Sequence, residues 1–471
     1  MKKQLEATLL AGILAGVVQS APRPNILFIV VDDLNTEVGF LGDPHAITPN
    51  MDRLAAQSTV FENAQCQAPI CGPSRNSFLT GRYPHHTGLY ALHPLFRDVP
   101  ELADVTALPQ HFRNNGYGSF CIGKIYHQKA DPLSFDKNFG WFGAFGPFPE
   151  KPLNLDPAFP VHPYYDWGAL LEDPETADYK VAETTVRLIK ESAATGKPFF
   201  IAAGFFRPHC PLYAPQRWFD LHPAAAIPVA TDQSEDMKDI PPYASTLTGY
   251  QGQQNYNQWL LEEGRSAKFL QAYRACVSFT DSCLGMVLDA LRTSGHEENT
   301  VIIFCGDQGI QNGRKNLWYK RTLWESTARV PLLIKTPDQK RELRVKAPVG
   351  LIDIYPTLCE LAGLPEPGGL DGLSLAGLIR GVPGSENRPP ALTSHGPGNF
   401  SLRNIRWRYI RYADGSEELY DHEADPEERK NLAPNPEYAP VIAGFSPFVP
   451  KESKPFAPGS KEMECPAFPG K

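Results

Sequence analysis

Four short, uninterrupted apolar segments constrain the fold of this chain more than any other feature of its sequence. The first reads NILFIVV, and the four occupy residues 25–31, 198–205, 300–305 and 330–335. A strand that is apolar on both faces is typical of a parallel sheet with helices packed on each side. Helix-like stretches separate these segments, at residues 108–115, 176–191, 266–292 and 353–362. The alternation predicts an α/β fold in which a large, mostly parallel central sheet is flanked by helices.

The first 21 residues have the pattern of an export signal. Lys2 and Lys3 form a basic start, residues 8–18 form an apolar run, and small residues that suit cleavage follow. An amphipathic first helix is the alternative, but the strand that begins at Asn25 leaves it no place to pack. We therefore predict a signal peptide over 1–21 and an exported protein, periplasmic or secreted. No apolar segment is long enough to span a bilayer, so we expect no membrane span.

The sequence changes in character towards its C-terminus. Residues 406–412 alternate between apolar and polar, Asp414-Gly415 is a hairpin signal, and residues 418–420 continue as a second strand. These features predict a small antiparallel subdomain over 396–445, after a catalytic α/β domain over 22–395. The remaining residues, 446–471, form a Pro-rich tail that we expect to be poorly ordered.

Charge and cysteine content exclude two broad classes of protein. The chain has 45 basic and 53 acidic residues, a formal net charge of −8, so it lacks the overall positive charge typical of nucleic-acid-binding proteins. We expect no nucleic-acid partner. Nine scattered cysteines are too few for a disulfide scaffold, and their odd number leaves at least one thiol unpaired in an exported protein.

Acidic residues follow two of the predicted strands directly. Asp32 and Asp33 come after the first strand, and Asp307 and Gln308 come after the third. Because the carboxyl ends of parallel strands meet at one edge of a sheet, we expect these side chains to lie together. Solvated acids at the start of a loop are the alternative for either pair alone. Both pairs together favour a single metal site with oxygen ligands.

The most specific motif is CGPSRNSFLTGR at residues 71–82. Pro73 suits the first turn of a helix, which would put Cys71 just before the helix N-terminus. The free N–H groups and partial positive charge at that end favour a reacting anion, and Arg75 and Arg82 add fixed cations. We expect this setting to lower the pKa of a cysteine.

The motif Cys-x-Pro-Ser-Arg followed by Leu-Thr-Gly-Arg resembles the signature of the formylglycine-dependent type I sulfatases, in the alkaline phosphatase-like superfamily. The resemblance implies that Cys71 is oxidised to formylglycine by a separate maturation enzyme. It also implies one Ca²⁺ ion, whose ligands would be Asp32, Asp33, residue 71, Asp307 and Gln308. Arg75 would belong to the catalytic set.

Further matches follow in the family's chain order. GKIYH contains Lys124 and His127, FRPH contains His209, and GRKNLWYK ends in Lys320. The resemblance implies that Lys124 and Lys320 bind the sulfate group, and that His209 binds substrate and protonates the leaving alcohol. His127 would take a proton from the second hydroxyl of hydrated formylglycine, which then expels sulfate. Lys315 is the alternative candidate for the second sulfate-binding lysine. We prefer Lys320 because of its distance along the sequence from Asp307.

Several details are most similar to the iduronate-2-sulfatase branch, among them the tandem aspartates, Arg-Pro-His and the SLR stretch at 401–403. Gln308 departs from that branch, which carries His at this position, whereas many sulfatases carry Asn. The likeness implies a sulfated oligo- or polysaccharide substrate, with a 2-O-sulfated uronic acid as the specific hypothesis. Arg403 or Arg207 could pair with the uronate carboxylate. Aromatic residues of the first long loop could stack on sugars or pack as a lid: Trp141, Phe142, Tyr164 and Tyr165.

Two other functions stay open from the sequence. A phosphoester or phosphonate hydrolase of the same superfamily is disfavoured by the cysteine motif and the single acidic cluster. A non-catalytic pseudo-sulfatase that binds sulfated glycans has Gln308 as its only support.

Overall fold

The computed structural model describes residues 23–461 except for 128, 156–164, 193–194, 229–233 and 249. The predicted signal peptide over 1–21 lies outside the described residues, as does the end of the predicted tail, 462–471. Within the described ranges, no helix combines the length and the apolarity needed to cross a membrane.

Strands and helices are numbered in chain order. The strands are β1 (Asn25–Val31), β2 (Thr59–Phe61), β3 (Ala64–Gln65), β4 (Gly118–Gly123), β5 (Lys137–Asn138), β6 (Trp167–Ala169), β7 (Phe199–Phe205), β8 (Leu212–Ala214), β9 (Thr300–Gly306), β10 (Leu332–Lys335), β11 (Leu343–Val345), β12 (Val349–Gly350), β13 (Ala391–Ser394), β14 (Phe400–Arg403), β15 (Trp407–Arg411) and β16 (Glu417–Asp421). The α-helices are α1 (Pro49–Ala55), α2 (Cys71–Thr80), α3 (Pro84–Thr87), α4 (Leu108–Asn114), α5 (Ala177–Ser192), α6 (Gln216–Asp220), α7 (Pro242–Leu247), α8 (Tyr250–Leu261), α9 (Arg265–Thr293), α10 (Glu325–Ala328), α11 (Ile354–Leu361), α12 (Ala376–Ile379) and α13 (Ala439–Phe445).

The central sheet has eight strands in the order β11-β2-β10-β9-β1-β7-β4-β5. Strand β1 lies near its middle and is parallel to both β9 and β7. The predicted mostly parallel sheet is confirmed, with one exception: β10 runs antiparallel to both of its neighbours, β9 and β2. An apolar run shows that a strand is buried on both faces, but it carries no information about strand direction.

Alternate residues of β1 enter two different hydrophobic cores. Leu27, Ile29 and Val31 pack with residues of α5 and α9, while the other face packs with α2, α4 and α11. This two-faced burial explains the continuous apolar sequence of the strand, because neither face contacts water. The sheet is thereby covered by helices on both sides, as the sequence predicts.

The C-terminal antiparallel sheet has the order β13-β14-β15-β16. Its first strand, at Ala391–Ser394, precedes the predicted boundary at 396, and Leu392 pairs with Leu402. The boundary prediction is therefore too late, because the hairpin signals identified only the last two strands. The sheet itself is the predicted small antiparallel subdomain.

The first part of the C-terminal tail packs against the catalytic domain, which corrects the prediction of a poorly ordered segment. The backbone N–H groups of Lys454 and Ala457 donate to the carbonyl oxygens of His85 and Gly88, each at 2.9 Å. Gly88 allows this approach, because a Cβ atom there would lie 2.5 Å from the Pro455 oxygen. Backbone hydrogen bonds fix this Pro-rich segment without regular secondary structure.

A buried ionic network joins the C-terminal sheet to the catalytic domain. Arg408 of β15 is fully buried, and its Nε lies 2.6 Å from Oε1 of Glu428. Another guanidinium nitrogen of Arg408 binds Glu325 at the start of α10. His422 Nε2 lies 3.0 Å from the same Glu428 oxygen. Removing one member would leave buried charges without a partner.

We expect Arg408→Ala to lower the free energy of unfolding by about 3–5 kcal/mol, because the buried Glu428 and the partly buried Glu325 each lose a cationic partner. Denaturant unfolding followed by circular dichroism measures the change. Arg411→Ala is the matched control, since Arg411 is an exposed arginine of the same strand, and it should leave the free energy of unfolding nearly unchanged. Equal losses in the two variants would contradict a network that holds the subdomains together.

Candidate active site

Four neighbouring strands of the central sheet, β9, β1, β7 and β4, are parallel and end at the same edge. Loops that leave this edge of an α/β sheet are where ligands usually bind. The candidate residues that follow these strands are Asp307 and Gln308, Asp32 and Asp33, Arg207 and His209, and Lys124. The topology therefore brings together residues that are far apart in the sequence.

Three aspartates form a buried cluster at this edge. Asp32, Asp33 and Asp307 each offer a carboxylate oxygen, and these oxygens lie within 4.8 Å of one another. In an extended strand, the side chains of Asp32 and Asp33 would point to opposite faces. Asp33 instead has a φ of 60°, a left-handed conformation that breaks this alternation. Its N–H donates to Asp307 Oδ1 at 3.1 Å, which ties the two strand ends together.

The donor set at this cluster suits a hard divalent cation, because all of its candidate groups are oxygens. Asp32 Oδ1 and Gln308 Oε1 are buried and have no hydrogen-bond partner among the described residues. The Gln308 amide contacts Asp33 through Nε2, so this side chain reaches the cluster. A second acidic group, at Glu325, His422 and Glu428, belongs to the ionic network between the subdomains.

Three cations of the chain contact the aspartates. Lys124 Nζ binds Asp32, and Lys320 Nζ lies 2.6 Å from Asp33 Oδ1. Arg75 Nε donates to Asp307 Oδ2 at 2.7 Å, and its Nη1 donates to the backbone carbonyls of Lys124 and Ile125, the latter at 3.1 Å. Lys124, Lys320 and Arg75 thus surround the acidic cluster.

Burial and the surrounding charges act differently on the three carboxyl groups. Burial raises the pKa of Asp307 well above its usual value, and also raises the pKa of Asp33 despite the nearby Lys320. Burial opposes the ionisation of Asp32 as well, but Lys124 and other cations hold its pKa well below the usual value. Additional positive charge at this point would favour the fully ionised cluster.

Cys71 is the first residue of α2, whereas the sequence predicted that it would lie just before the helix. Its side chain is buried, and Sγ lies 3.5 Å from His127 Nδ1. Gly72 is needed beside it, because a Cβ atom there would come within 2.8 Å of the Leu92 backbone. The helix N-terminus, with its unpaired N–H groups, thus lies at residue 71.

Two histidines, His127 and His209, lie at the site. Burial, followed by the charge of Lys124, lowers the pKa of His127 to about 3, and burial lowers the pKa of His209 well below its usual value. His209 Nδ1 contacts the Cys210 carbonyl, and Nε2 lies 3.8 Å from Asp33 Oδ2. The Phe145 ring packs over His209, with centroids 4.5 Å apart. Both imidazoles are therefore held in fixed positions beside the acidic cluster.

The structure separates the two candidate lysines for the second sulfate contact. Lys320 reaches Asp33, whereas Lys315 Nζ lies 3.4 Å from Asp236 and donates to the Glu428 carbonyl. Lys315 therefore sits at the contact with the C-terminal subdomain. The geometry favours Lys320, as preferred from the sequence.

Both arginines suggested for a substrate carboxylate have partners within the protein. Arg403 Nε lies 3.2 Å from Glu325, and Arg403 also donates to the Ile405 carbonyl at 3.1 Å. Arg207 donates to three backbone carbonyls, those of Tyr213, His209 and Phe145. The contacts favour structural roles for both, because a sequence pattern does not reveal the partners of an arginine.

The aromatic residues of the first long loop take up different contacts. Trp141 packs edge-to-face on Phe206, with ring centroids 5.7 Å apart, so it covers the loop that holds His209. Tyr165 lies 4.2 Å from the ring of Tyr319, next to Lys320. Both tyrosines are partly exposed. Phe142 is partly buried, and Tyr164 lies outside the described residues.

Sequence reasoning missed three residues near the site. Phe145 covers His209, the ring of His93 lies 6.2 Å from that of His127, and Arg321 directly follows Lys320. Adjacency to Lys320 was the available signal for Arg321. His93 and Phe145 lie in irregular loops, where no period in the sequence indicates which side chains face the site.

Comparisons with known proteins identify the family. Residues 24–364 match the sulfatase family, and residues 313–451 match the C-terminal region of N-sulphoglucosamine sulphohydrolase. The chain belongs to the sulfatase family. It is a sulfuric ester hydrolase with an alkaline phosphatase-like fold, as the cysteine motif indicates.

Several relatives of different specificity resemble this sulfatase. A sulfatase of Formosa agariphila is 38% identical over 450 residues, covering 92% of this chain and 88% of the relative. Mouse iduronate 2-sulfatase is 29% identical, covering 78% of this chain and 74% of the relative. Other branches match at comparable identity, so the iduronate branch is one of several.

Two solved structures share the fold. A 2-O GAG sulfatase aligns with a TM-score of 0.72 and 23% identity over 91% of both chains. A phosphonate monoester hydrolase from Silicibacter pomeroyi aligns with a TM-score of 0.74 and 20% identity, over 90% of this chain and 94% of its own. At this identity the similarity concerns the architecture and not the substrate.

We expect Lys320→Ala to lower kcat/KM for an aryl sulfate by about 10²–10³-fold, because a charged contact to the sulfate is lost. Lys315→Ala is the matched comparison. It should lower the melting temperature and largely retain kcat/KM, because Lys315 bonds Asp236 and a backbone carbonyl. A larger loss of turnover in Lys315→Ala than in Lys320→Ala would indicate that Lys315, and not Lys320, contacts the sulfate group.

Proposed function

We propose that this sulfatase releases sulfate from a 2-O-sulfated uronic acid residue of a polysaccharide. In this proposal, Cys71 is matured to formylglycine by a separate enzyme, and one Ca²⁺ ion is held by Asp32, Asp33 and Asp307 with Gln308 and residue 71. The basic and apolar pattern of residues 1–21 further suggests export to the periplasm or the medium. The observation that carries the proposal is the buried aspartate cluster beside the first turn of α2, where Ser74 Oγ donates to the Asp307 carbonyl at 2.5 Å.

The two groups that the protein would acquire, Ca²⁺ and formylglycine, have distinct tasks. Ca²⁺ at the aspartates would offset the negative charge of the sulfate oxygens. Formylglycine, as its hydrate, would supply one hydroxyl to attack sulfur and a second that makes release of sulfate possible. Each task needs residue 71 and the aspartates side by side.

The lysines and Arg75 would orient the sulfate group. Lys124 and Lys320 lie on two sides of the aspartate cluster, bound to Asp32 and Asp33 respectively. Their ammonium groups can therefore contact the sulfate oxygens as point charges. Arg75 is fully buried and bonds both Asp307 and the carbonyl that follows Lys124. Its role is to hold these two loops at a fixed separation.

The two histidines would move protons at named atoms. His127 Nδ1 faces the side chain of residue 71, so it is placed to take a proton from the group there. The Nδ1 atom of His209 contacts the Cys210 carbonyl, which fixes the ring and leaves Nε2 towards the cluster. We propose that His209 Nε2 donates the proton that the leaving sugar oxygen receives. The negative charge of a bound sulfate ester favours protonation of this ring.

The substrate proposal is supported by the relatives. Iduronate 2-sulfatase acts on a uronic acid, as its name states. Tyr165 and Tyr319 provide partly exposed aromatic rings beside Lys320, and such rings suit contact with a sugar.

The matured wild-type protein is expected to release sulfate from a 2-O-sulfated uronate disaccharide, whereas Cys71→Ala has no activity and an unchanged circular dichroism spectrum. Released sulfate is measured by ion chromatography. The peptide that carries residue 71 should be about 18 Da lighter than its cysteine form in mass spectrometry, the difference between a thiol and an aldehyde.

Two controls distinguish the alternatives. Disaccharides sulfated at the 6-O or N position test which sulfate position the enzyme hydrolyses. 4-Nitrophenyl phosphate and phenylphosphonate test whether the enzyme is instead a phosphoester or phosphonate hydrolase. Turnover by Cys71→Ala would contradict the nucleophile assignment. Faster hydrolysis of the phosphoryl substrates than of every sulfate ester would contradict the substrate proposal.

Ca²⁺ is expected to raise the melting temperature of the wild-type protein, because a ligand that binds only the folded state stabilises it by about 2.7 kcal/mol at 100 times its Kd. Asp307→Asn should abolish this shift, and Glu428→Gln should retain it, because Glu428 belongs to the other acidic group. Differential scanning calorimetry with EDTA, Ca²⁺ or Mg²⁺ measures the shift without reference to activity. A Ca²⁺ effect that persists in Asp307→Asn would place the ion elsewhere.

A further inference from the structure

The arginines around the active site differ in whether the protein itself neutralises them. Arg75 is paired with Asp307, and Arg403 is paired with Glu325. Arg207 is saturated by three backbone carbonyls. The protein itself therefore holds each of these three guanidinium groups.

Arg321 is different. It directly follows Lys320, and its side chain is partly exposed. Its guanidinium makes no hydrogen bond and no ion pair with any residue in the part of the chain that the structure describes. An uncompensated cation beside the predicted sulfate lysine is therefore available for a second negative group.

The backbone holds Arg321 in a conformation that its side chain does not favour. Its φ is 73°, in the left-handed region where glycine and asparagine are common and arginine is rare. The N–H of Arg321 donates to the Pro69 carbonyl at 3.0 Å, two residues before Cys71. This bond fixes Arg321 between Lys320 and the segment that leads to the nucleophile position.

A histidine lies in the neighbourhood of Arg321. The nearby side chain of His395, at the end of β13, is almost completely buried. Burial, followed by the charge of Arg321, lowers the pKa of His395 to about 3, so the ring is neutral near pH 7. Arg321 thus lies near a neutral imidazole.

We propose that Arg321 binds the carboxylate of the uronic acid whose 2-O-sulfate lies at residue 71. This inference rests on the proposed function, since it concerns a second group on the same sugar. The planar guanidinium matches a carboxylate through two parallel hydrogen bonds, a geometry that a lysine does not offer. Lys124 and Lys320 would then bind the sulfate group, and Arg321 would favour sugars that carry a carboxylate.

The test compares two substrates that differ only in the carboxylate. One is a 2-O-sulfated uronate disaccharide, and the other is the same disaccharide with the carboxyl group reduced to a primary alcohol. For the acidic substrate, Arg321→Gln should lower kcat/KM by about 10- to 100-fold, mainly through KM, because a charge-assisted hydrogen bond is lost. For the reduced substrate, wild type and Arg321→Gln should have equal kcat/KM.

Two further variants make the result specific. Arg321→Lys should recover part of the preference for the acidic substrate, because it keeps the charge without the two parallel donors. Arg411→Gln removes an exposed arginine of the C-terminal sheet and should behave as wild type on both substrates.

The outcomes separate the two proposals. Equal losses on the acidic and the reduced substrate in Arg321→Gln would overturn the carboxylate assignment while the sulfatase reaction stands. A wild-type enzyme that releases sulfate from hexosamine substrates but from neither disaccharide would overturn the uronate proposal, and the Arg321 assignment with it.

Discussion

Three carboxyl groups buried within one small volume are the constraint on which the rest of this structure depends. Asp32, Asp33 and Asp307 are almost completely removed from water. Like charges so close together at low dielectric repel strongly unless cations accompany them. The chain supplies Lys124, Lys320 and Arg75 around the cluster, and the oxygen donors that remain suit a divalent ion. The same positive charges would then attract a sulfate ester.

The fold explains how one chain produces this arrangement. Parallel strands buried on both faces end at the same edge, so residues hundreds of positions apart become neighbours without long loops. The buried sheet supports these loops on a rigid base, and Arg75 ties two of them together through Asp307 and backbone carbonyls. The ionic network of Arg408 then fixes the C-terminal sheet to the catalytic domain.

Much of this was predictable from the sequence, since apolar runs and one specific motif report local properties. The helix predicted at 266–292 is α9, Arg265–Thr293, and the acids after the first and third runs converge as expected. Partners and directions were not predictable. Neither the antiparallel course of β10, nor the pairing of Arg403 with Glu325, nor the left-handed turn at Asp33 has a signature in residue order. Each depends on segments far away in the chain.

The most direct test of the central claim is a crystal structure of the matured protein grown with Ca²⁺, with anomalous diffraction data used to locate the ion. The account predicts one calcium peak with oxygens of Asp32, Asp33 and Asp307 at about 2.3–2.6 Å, adjacent to residue 71. A calcium peak at Glu325, His422 and Glu428 with none at the three aspartates would contradict it.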